Sequence, residues 1–367
     1  MWSPLRIATF LISLLSAAAC AVSVTGHAAA REQSPLPRLH LKVVGGLGDA
    51  QQFAQYEEPF WNRQLAEHSG GRITAEVSAF DAIGLRGPEV LQLMRLGVIA
   101  FGTLSLNLIA SEDPEAAGVD LVGMNPDIAS LRRSVDAYRE TLATLYRERY
   151  GIEILAVWTY PAQVLFCNRP IAGLRDVAGL RVRVAGVTHA DFVEGLGGIG
   201  VALPFAGMGD ALRRKVVDCA ITAAMSGYRL GLQHAATHVH SMTLSWGPNI
   251  LAVNRATWQS LDPAARDFLK RELATLEAAI WDSAERGSRE GIACLTGSGG
   301  SCTVGKPGHL RLVPTRGEDT ALLRKALVGT VLPRWAERCG AECVESWNGT
   351  VGRSLGIAAA AAAASIE

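Results

Sequence analysis

The segment GLRVRVAG, residues 179–186, has the alternation of a β-strand and places two arginines on one of its faces. Successive side chains of a strand point to opposite sides, so Arg181 and Arg183 share one face and the valines that follow each of them share the other. A guanidinium group carries paired N–H donors in a flat fork that matches a carboxylate. The alternation alone leaves two interpretations open: a solvated strand face, or an arginine that faces a ligand cleft.

Strand and helix patterns alternate on both sides of this segment. Strand patterns occur at 39–44, 73–80, 98–104, 152–158, 180–184, 200–203 and 217–221. Helical patterns occur at 56–67, 88–96, 131–150, 190–196, 208–215 and 318–338. This order predicts an α/β fold in which the sheets are mainly parallel.

A helical pattern from Pro263 to about residue 293 is long for a globular protein and predicts an element that spans two lobes. A chain of 367 residues also favours two domains. We predict a two-lobed fold with helix 263–293 bridging the lobes. The expected division is lobe I at 31–155, with about 245–275 returning to it, lobe II at 156–244, and a C-terminal loop and helices at 294–367 that pack on both lobes.

The first thirty residues have the pattern of a cleaved signal peptide, which predicts export to the periplasm. Arg6 is their only charged residue, an apolar run follows from Ile7 to Ala19, and alanines at 28–30 supply a small-residue cleavage site. The alternative is cleavage before Cys20 followed by lipidation, although the three preceding alanines lack the bulky residue of a lipobox. No later stretch reaches the roughly 18 uninterrupted apolar residues of a membrane span.

Export makes disulfides possible. Cys294 and Cys302 flank a Gly/Ser-rich loop, and Cys339 and Cys343 lie four residues apart, so we predict a bridge in each pair. Short loops of this kind stabilise a fold by about 2 kcal/mol each. A metal site is the alternative for these four residues, but their spacings lack the paired C-x2-C pattern of a zinc cluster.

The remaining cysteines and the clustered histidines are expected to be structural. Cys167 and Cys219 lie within apolar runs, which predicts buried free thiols. His234, His238 and His240 have no obvious carboxylate nearby to complete a metal site.

Several other classes of function find no support. Thirty-five basic residues balance thirty-five acidic ones, so the chain lacks the basic footprint of a nucleic-acid-binding protein. The G-x-G-x-x-G letters at 195–200 follow a predicted helix and precede a strand, the reverse of a dinucleotide-binding turn. Neither a G-x-S-x-G elbow nor an H-E-x-x-H motif occurs. We therefore expect no catalytic residues, no cofactor and no resident metal.

Motifs across about residues 165–225 carry a family resemblance in both order and spacing. They are Asn168-Arg169-Pro170-Ile171, Asp176 with Gly179-Leu180, Arg183-Val184, Leu203-Pro204-Phe205 and Val217-Asp218. This pattern resembles the solute-binding proteins of TRAP transporters, the DctP-like family, and a weaker likeness covers residues 39–300. The resemblance implies a periplasmic protein that binds a small organic acid and hands it to the membrane subunits of a TRAP transporter. The sequence leaves open whether the protein is a monomer or a dimer.

The same resemblance implies the positions of the binding residues. The family's carboxylate-binding arginine falls on Arg183, and an aromatic wall of the cleft falls on Phe205. The family's cleft asparagine falls on Thr222, and a second arginine of some members falls near Gln163. Cys219 also stands in place of a glycine. Because the replacements at 222 and 163 remove an amide donor and a charge, the ligand is expected to be less polar than a dicarboxylate or sialic acid.

Three aromatic residues lie at predicted strand ends near the cleft. Trp158, Tyr160 and Trp246 either stack on the ligand or belong to the core. Two other functions fit the fold: a ligand sensor that docks on a membrane receptor kinase, and a secreted hydrolase. The hydrolase would need a nucleophile and a base in the cleft, for which the sequence offers no candidate set.

Overall fold

Eleven strands form two sheets within residues 36–360, the part of the chain that the computed structural model describes. The strands are β1 (Leu39–Gly45), β2 (Ile73–Ala79), β3 (Phe101–Ser105), β4 (Ile152–Thr159), β5 (Gln163–Cys167), β6 (Arg181–Val184), β7 (Ile199–Ala202), β8 (Cys219–Ala223), β9 (His238–Ser245), β10 (Pro248–Asn254) and β11 (Arg311–Val313). The predicted signal peptide and Cys20 lie outside the described residues.

Each sheet is mixed. Sheet I has the order β2-β1-β3-β10-β4, and sheet II has the order β11-β9-β5-β8-β6-β7. Strand β10 is antiparallel to β3 and β4, and β5 is antiparallel to β8 and β9, whereas the other pairs are parallel. The expectation of mainly parallel sheets is therefore wrong for β5 and β10. These are the strands by which the chain crosses from one sheet to the other, and each begins at the sheet edge where its neighbours end, so it runs antiparallel to them.

Thirteen α-helices occur among the described residues. They are α1 (Leu65–His68), α2 (Gly87–Arg95), α3 (Pro114–Ala117), α4 (Ile128–Leu145), α5 (Val187–Gly195), α6 (Met208–Arg213), α7 (Ala224–Arg229), α8 (Arg255–Ser260), α9 (Pro263–Thr296), α10 (Gly317–Ala326), α11 (Leu332–Cys339), α12 (Ala341–Trp347) and α13 (Arg353–Leu355). π-Helical turns adjoin several of them, at Phe53–Glu57, Phe60–Gln64, Tyr146–Tyr150, Leu327–Val331 and Asn348–Gly352, and 3-10 turns occur at Leu174–Val177 and Leu232–His234. In residues 36–360, every helix is too short or too polar to cross a membrane.

Helix α9 is 34 residues long and packs on both sheets. The Asp262 carboxylate caps its first turn. Near its middle, Nε1 of Trp281 donates to the carbonyl oxygen of Val157 in sheet I at 2.8 Å. Near its end, a Cβ on Gly291 would lie only 2.3 Å from the backbone nitrogen of Met225, just after sheet II strand β8. The helix therefore bridges the two sheets, as its length predicts.

The C-terminal helices form a second connection between the sheet regions. Nε1 of Trp347 in α12 donates to the Gly118 carbonyl at 2.6 Å, on the side of sheet I. The Asp319 carboxylate of α10 accepts from the backbone N–H of Leu174 at 2.7 Å, on the side of sheet II. Helices α10 to α13 thus hold both halves of the molecule.

Three disulfides cross-link the described chain. Cys294 pairs with Cys302 and Cys339 pairs with Cys343, which confirms both predicted bridges. Cys167 also pairs with Cys219, so the prediction of free thiols at these two positions is wrong. The two residues lie opposite each other on antiparallel neighbours β5 and β8, with their Cα atoms 4.0 Å apart. Nothing local in the two apolar runs reveals that these strands are neighbours, because β6 and β7 lie between them in the chain.

Candidate functional site

The carboxyl ends of strands from both sheets meet at one junction. Strands β1, β3 and β4 of sheet I and β6, β8 and β9 of sheet II end there. The chain itself passes through the junction twice, at 160–162 between β4 and β5 and at 246–247 between β9 and β10. Open α/β sheets bind ligands beyond the carboxyl ends of their strands, so this junction is the candidate site.

Two glycines allow the two sheets to approach closely at the junction. A Cβ on Gly247 would lie 2.9 Å from Nε2 of Gln163, 3.3 Å from Cδ2 of Tyr160 and 3.6 Å from Nδ2 of Asn107. A Cβ on Gly186, just after β6, would lie 2.3 Å from the carbonyl oxygen of Asn107, just after β3. Any side chain at Gly186 would push the Asn107 segment away, so this glycine is required for the contact between the sheets.

Arg183 is a buried cation without a counter-ion. Its side chain is 3% exposed, Nε donates to the carbonyl of Leu203 at 3.0 Å, and Nη1 donates to the carbonyl of Ile221 at 3.0 Å. These bonds use two of the five N–H donors of the guanidinium. Burial lowers the pKa of Arg183 to about 10, and no ion pair within residues 36–360 includes it. An unpaired buried charge is costly, so the arrangement favours an anionic ligand.

The neighbouring arginine has a different environment. Arg181 is exposed, and its Nε lies 3.1 Å from Oδ2 of Asp218 in a surface ion pair. It also donates to the carbonyl of Lys215 at 2.8 Å. Of the two arginines on the strand, only Arg183 is buried and keeps N–H donors that make no hydrogen bond within the described chain.

A buried histidine accompanies Arg183. His189 of α5 is fully buried, and its Nε2 lies 2.9 Å from the hydroxyl of Ser245 at the end of β9. Burial and, second, the charge of Arg183 lower the pKa of His189 to about 4, so the imidazole is neutral at physiological pH. A single histidine in a helix carries no signal of its own, so His189 could not be predicted from the sequence.

The family model for bacterial extracellular solute-binding proteins, family 7 (DctP), matches residues 52–309. The chain belongs to this family. Its members are extracellular receptors that bind solutes.

Solved structures of similar solute-binding proteins share the fold of this chain. DctP7 of Bordetella pertussis, an extracytoplasmic receptor that binds pyroglutamic acid, has a TM-score of 0.71 at 17% identity, covering 84% of this chain and 99% of its own. A TRAP periplasmic solute-binding protein from Desulfovibrio salexigens with bound orotic acid has a TM-score of 0.74 at 15% identity, with coverages of 86% and 99%. One from Roseobacter denitrificans with bound β-D-glucuronate has a TM-score of 0.71 at 20% identity, with coverages of 85% and 99%. The chain therefore has the two-lobed fold, with sheet I in lobe I, sheet II in lobe II and α9 between them.

The other residues that the family resemblance implicates have mixed environments. Gln163 is 8% exposed and lies at the junction, where its Nε2 donates to the carbonyl of Trp246 at 3.2 Å. Thr222 is buried near the end of β8, opposite Val164 of β5. Phe205 is half-buried and packs against the apolar cluster of lobe II. Gln163 and Thr222 thus lie close to the strand ends that form the site.

Of the three aromatic residues, Tyr160 is the one whose side chain lies at the junction. Trp158 is fully buried in the core of lobe I. Trp246 is 3% exposed, its backbone N–H donates to Oδ2 of Asp120 at 2.7 Å, and its Nε1 donates to the carbonyl of Asn125 at 3.0 Å. These bonds fix Trp246 as a support for the second crossing of the chain.

Among the described residues, eight of the seventeen buried side-chain polar atoms that lack hydrogen-bond partners lie on the segments that meet at the junction. In the described part of the chain, they include Oε1 of Gln51, both side-chain polar atoms of Gln52, Oδ1 of Asn107, the Tyr160 hydroxyl, Oγ1 of Thr188, Nδ1 of His189 and Oδ1 of Asn249. Most buried polar groups in proteins are paired, so a cluster of unpaired ones indicates a place for a polar ligand. Sequence patterns did not identify the two glutamines or the two asparagines.

A surface cavity of about 580 Å³ lies elsewhere, on lobe II. Its lining includes Tyr228, Lys306 and His309. Arg183 and the unpaired buried groups of the junction do not line it, so it is not the candidate site. Among residues 36–360, no group of three or more potential ligands could hold a metal ion.

Proposed function

We propose that this chain is a periplasmic receptor that captures a small organic carboxylate at the junction of its lobes and delivers it to the membrane subunits of a TRAP transporter. The observation that carries the proposal is Arg183, a guanidinium that is 3% exposed and has no carboxylate partner within residues 36–360. Pyroglutamate, orotate and glucuronate, the ligands of the similar structures, each carry a carboxylate.

In this proposal, each lobe has a different role in binding. Sheet II supplies Arg183, whose free N–H donors make charge-assisted bonds to the carboxylate worth about 1.5–3 kcal/mol. Lobe I, which contains sheet I, closes over lobe II, which contains sheet II, and excludes water from the ion pair. The ligand stabilises the closed state only to the extent that it binds that state better than the open one. The transporter then recognises the closed surface.

Thermal melting with a panel of acids tests the carboxylate anchor. The panel contains pyroglutamate, orotate, L-malate, β-D-glucuronate and β-D-galacturonate. At a ligand concentration about a hundred times its Kd, linkage predicts about 2.7 kcal/mol of stabilisation. We expect Arg183→Met to abolish this stabilisation, because methionine fills the space without the charge. The matched control is Arg181→Ala, which removes an exposed arginine of the same strand and should leave binding unchanged.

A ligand that stabilises the wild type and Arg183→Met equally would refute the anchor. Delivery is tested separately with the membrane subunits reconstituted in vesicles. Uptake of the labelled ligand should require the receptor and should be lost with Arg183→Met.

A further inference from the structure

Lobe I contributes a buried carboxyl group to the junction. Glu57 is 1% exposed and lies in the helical segment that follows β1. Its Oε2 accepts from the backbone N–H of Gly46 at 3.2 Å and from the hydroxyl of Thr103 at 2.6 Å. Gly46 directly follows β1 and Thr103 lies in β3, so these bonds hold the carboxyl at the carboxyl ends of the sheet I strands. In the part of the chain that the structure describes, Oε1 makes no hydrogen bond.

No cation of the described residues forms an ion pair with this carboxyl. The titratable group near it is the hydroxyl of Tyr160, which in turn lies near the carboxylate of Asp81, and that carboxylate accepts from the backbone N–H of Gly48 at 3.0 Å. Burial raises the pKa of Glu57 to about 7, and its two hydrogen bonds offset only part of that effect. Glu57 is therefore the counterpart of Arg183: a buried ionisable group for which the described chain provides no opposite charge.

The free oxygen of Glu57 packs against Gly46, on the side of Tyr160. A Cβ on Gly46 would lie 2.9 Å from Oε1 of Glu57 and 3.3 Å from the hydroxyl of Tyr160. The ring of Tyr160 in turn lies against Gly247, which also contacts Gln163 of lobe II. Contacts thus run without interruption from the Glu57 carboxyl to the strand ends of lobe II.

A second buried polar side chain on this helical segment lacks partners independently of Glu57. Gln52 precedes the segment's first residue, Phe53, and is fully buried, and neither its amide nitrogen nor its amide oxygen has a partner among the described residues. A dehydrated and unpaired amide beside a buried carboxyl indicates that a polar group of a ligand binds at this segment.

Together, the lobes present two buried, unpaired groups of opposite charge. We propose that the ligand is a zwitterion whose carboxylate binds Arg183 and whose cationic nitrogen binds Glu57. This inference rests on the proposed function and narrows it from organic acids in general to acids that carry an ammonium or similar cation. A zwitterion neutralises both charges when the lobes close, whereas a simple carboxylate leaves Glu57 to be buried alone.

If the role of Glu57 is purely structural, replacing it with glutamine should have a different outcome. Glutamine keeps an oxygen that accepts the bonds from Gly46 and Thr103, but it has no charge. Glu57→Gln should therefore preserve the fold under either interpretation and change binding only if the charge is used. The matched control is Glu58→Gln, which removes the adjacent, exposed carboxylate.

The experiment measures Kd by calorimetry at pH 8 for matched pairs of acids. The pairs are L-proline with L-pyroglutamate, 4-aminobutyrate with butyrate, and L-glutamate with N-acetyl-L-glutamate. In each pair, only the first member carries a cationic nitrogen. We expect at least one zwitterion to bind better than its partner by tenfold or more. Glu57→Gln should remove that preference, and Glu58→Gln should keep it.

The pH dependence supplies a second readout. Because the zwitterion needs an ionised Glu57, its affinity for the wild type should rise about tenfold per pH unit from pH 6 toward 7 and level off above, and this rise should disappear in Glu57→Gln. A simple carboxylate should bind more weakly as pH rises, because it requires a neutral Glu57. The group next to Arg183, His189, has a pKa of about 4 and stays neutral in this range.

Two results would overturn the inference. One is a zwitterion whose affinity is unchanged by Glu57→Gln, and the other is a panel in which only uncharged-nitrogen acids or simple carboxylates bind. If those acids still require Arg183 for binding, the proposed function stands and only the inference of a zwitterionic ligand is wrong. If no acid of either kind binds, both proposals fail.

Discussion

Replacing Glu57 with glutamine should stabilise the ligand-free protein at neutral and higher pH. The carboxyl is 1% exposed, and burial raises its pKa from the ordinary value of 4.5 to about 7. A glutamic acid that ionises at 4.5 in the unfolded chain and at about 7 in the fold contributes stability below pH 4.5. That contribution is lost as pH rises through 7, because the folded state holds the proton more tightly than the unfolded state.

The magnitude follows from the difference between the two pKa values. Each pKa unit corresponds to about 1.4 kcal/mol, so the wild type should lose about 3 kcal/mol of stability from this group between pH 4 and pH 8. Glutamine does not titrate and keeps the acceptor for Gly46 and Thr103. The stability difference between Glu57→Gln and the wild type should therefore grow by about 3 kcal/mol in favour of the variant across this range.

Urea unfolding of both proteins at several pH values between 4 and 8 measures this difference. The comparison cancels the contributions of Asp113 and Asp120, whose pKa values burial raises to about 6, because both proteins contain them. Glu58→Gln, the exposed neighbour, should show no such trend. A difference between Glu57→Gln and the wild type that stays constant with pH would refute the claim that Glu57 is buried without a partner.

Two further predictions concern the framework of the site. Replacing both Cys167 and Cys219 with alanine opens a cross-link of 52 residues and should cost about 4 kcal/mol in urea unfolding, and a loss below about 1 kcal/mol would contradict the pairing. Gly186→Ala should weaken ligand binding about tenfold in calorimetry, because its Cβ would lie 2.3 Å from the carbonyl of Asn107 and hold the lobes apart. Gly329→Ala, where no atom lies within 4 Å of the new Cβ, should bind normally, and equal affinities for the two variants would refute the closure contact.

Periodicity was sufficient to predict the elements that depend on local pattern. The long helix α9 follows from its apolar spacing and its start at Pro263, and the strand that carries Arg183 follows from simple alternation. The antiparallel strands β5 and β10 were not predicted, because their direction depends on where the chain crosses between the sheets. The disulfide between Cys167 and Cys219 could not be predicted for the same reason, because their strands become neighbours only after the sheet is assembled.

Charge at the site was predictable in part. Alternation placed Arg181 and Arg183 on one face, but Asp218, which pairs with Arg181, belongs to a segment almost forty residues later. The sequence alone therefore could not show which arginine lacks a partner. The burial of Glu57 could not be predicted for a related reason, because Gly46 and Tyr160, which pack near it, come from separate segments of the chain. Buried polar residues of a cleft follow no period, since their positions are set by the junction rather than by one helix or strand.

A crystal structure with the tightest-binding acid of the panels tests the central claim most directly. We predict closed lobes, with the two oxygens of the ligand carboxylate within about 3.2 Å of guanidinium nitrogens of Arg183. A carboxylate bound elsewhere, with Arg183 still bonded only to the carbonyls of Leu203 and Ile221, would contradict it.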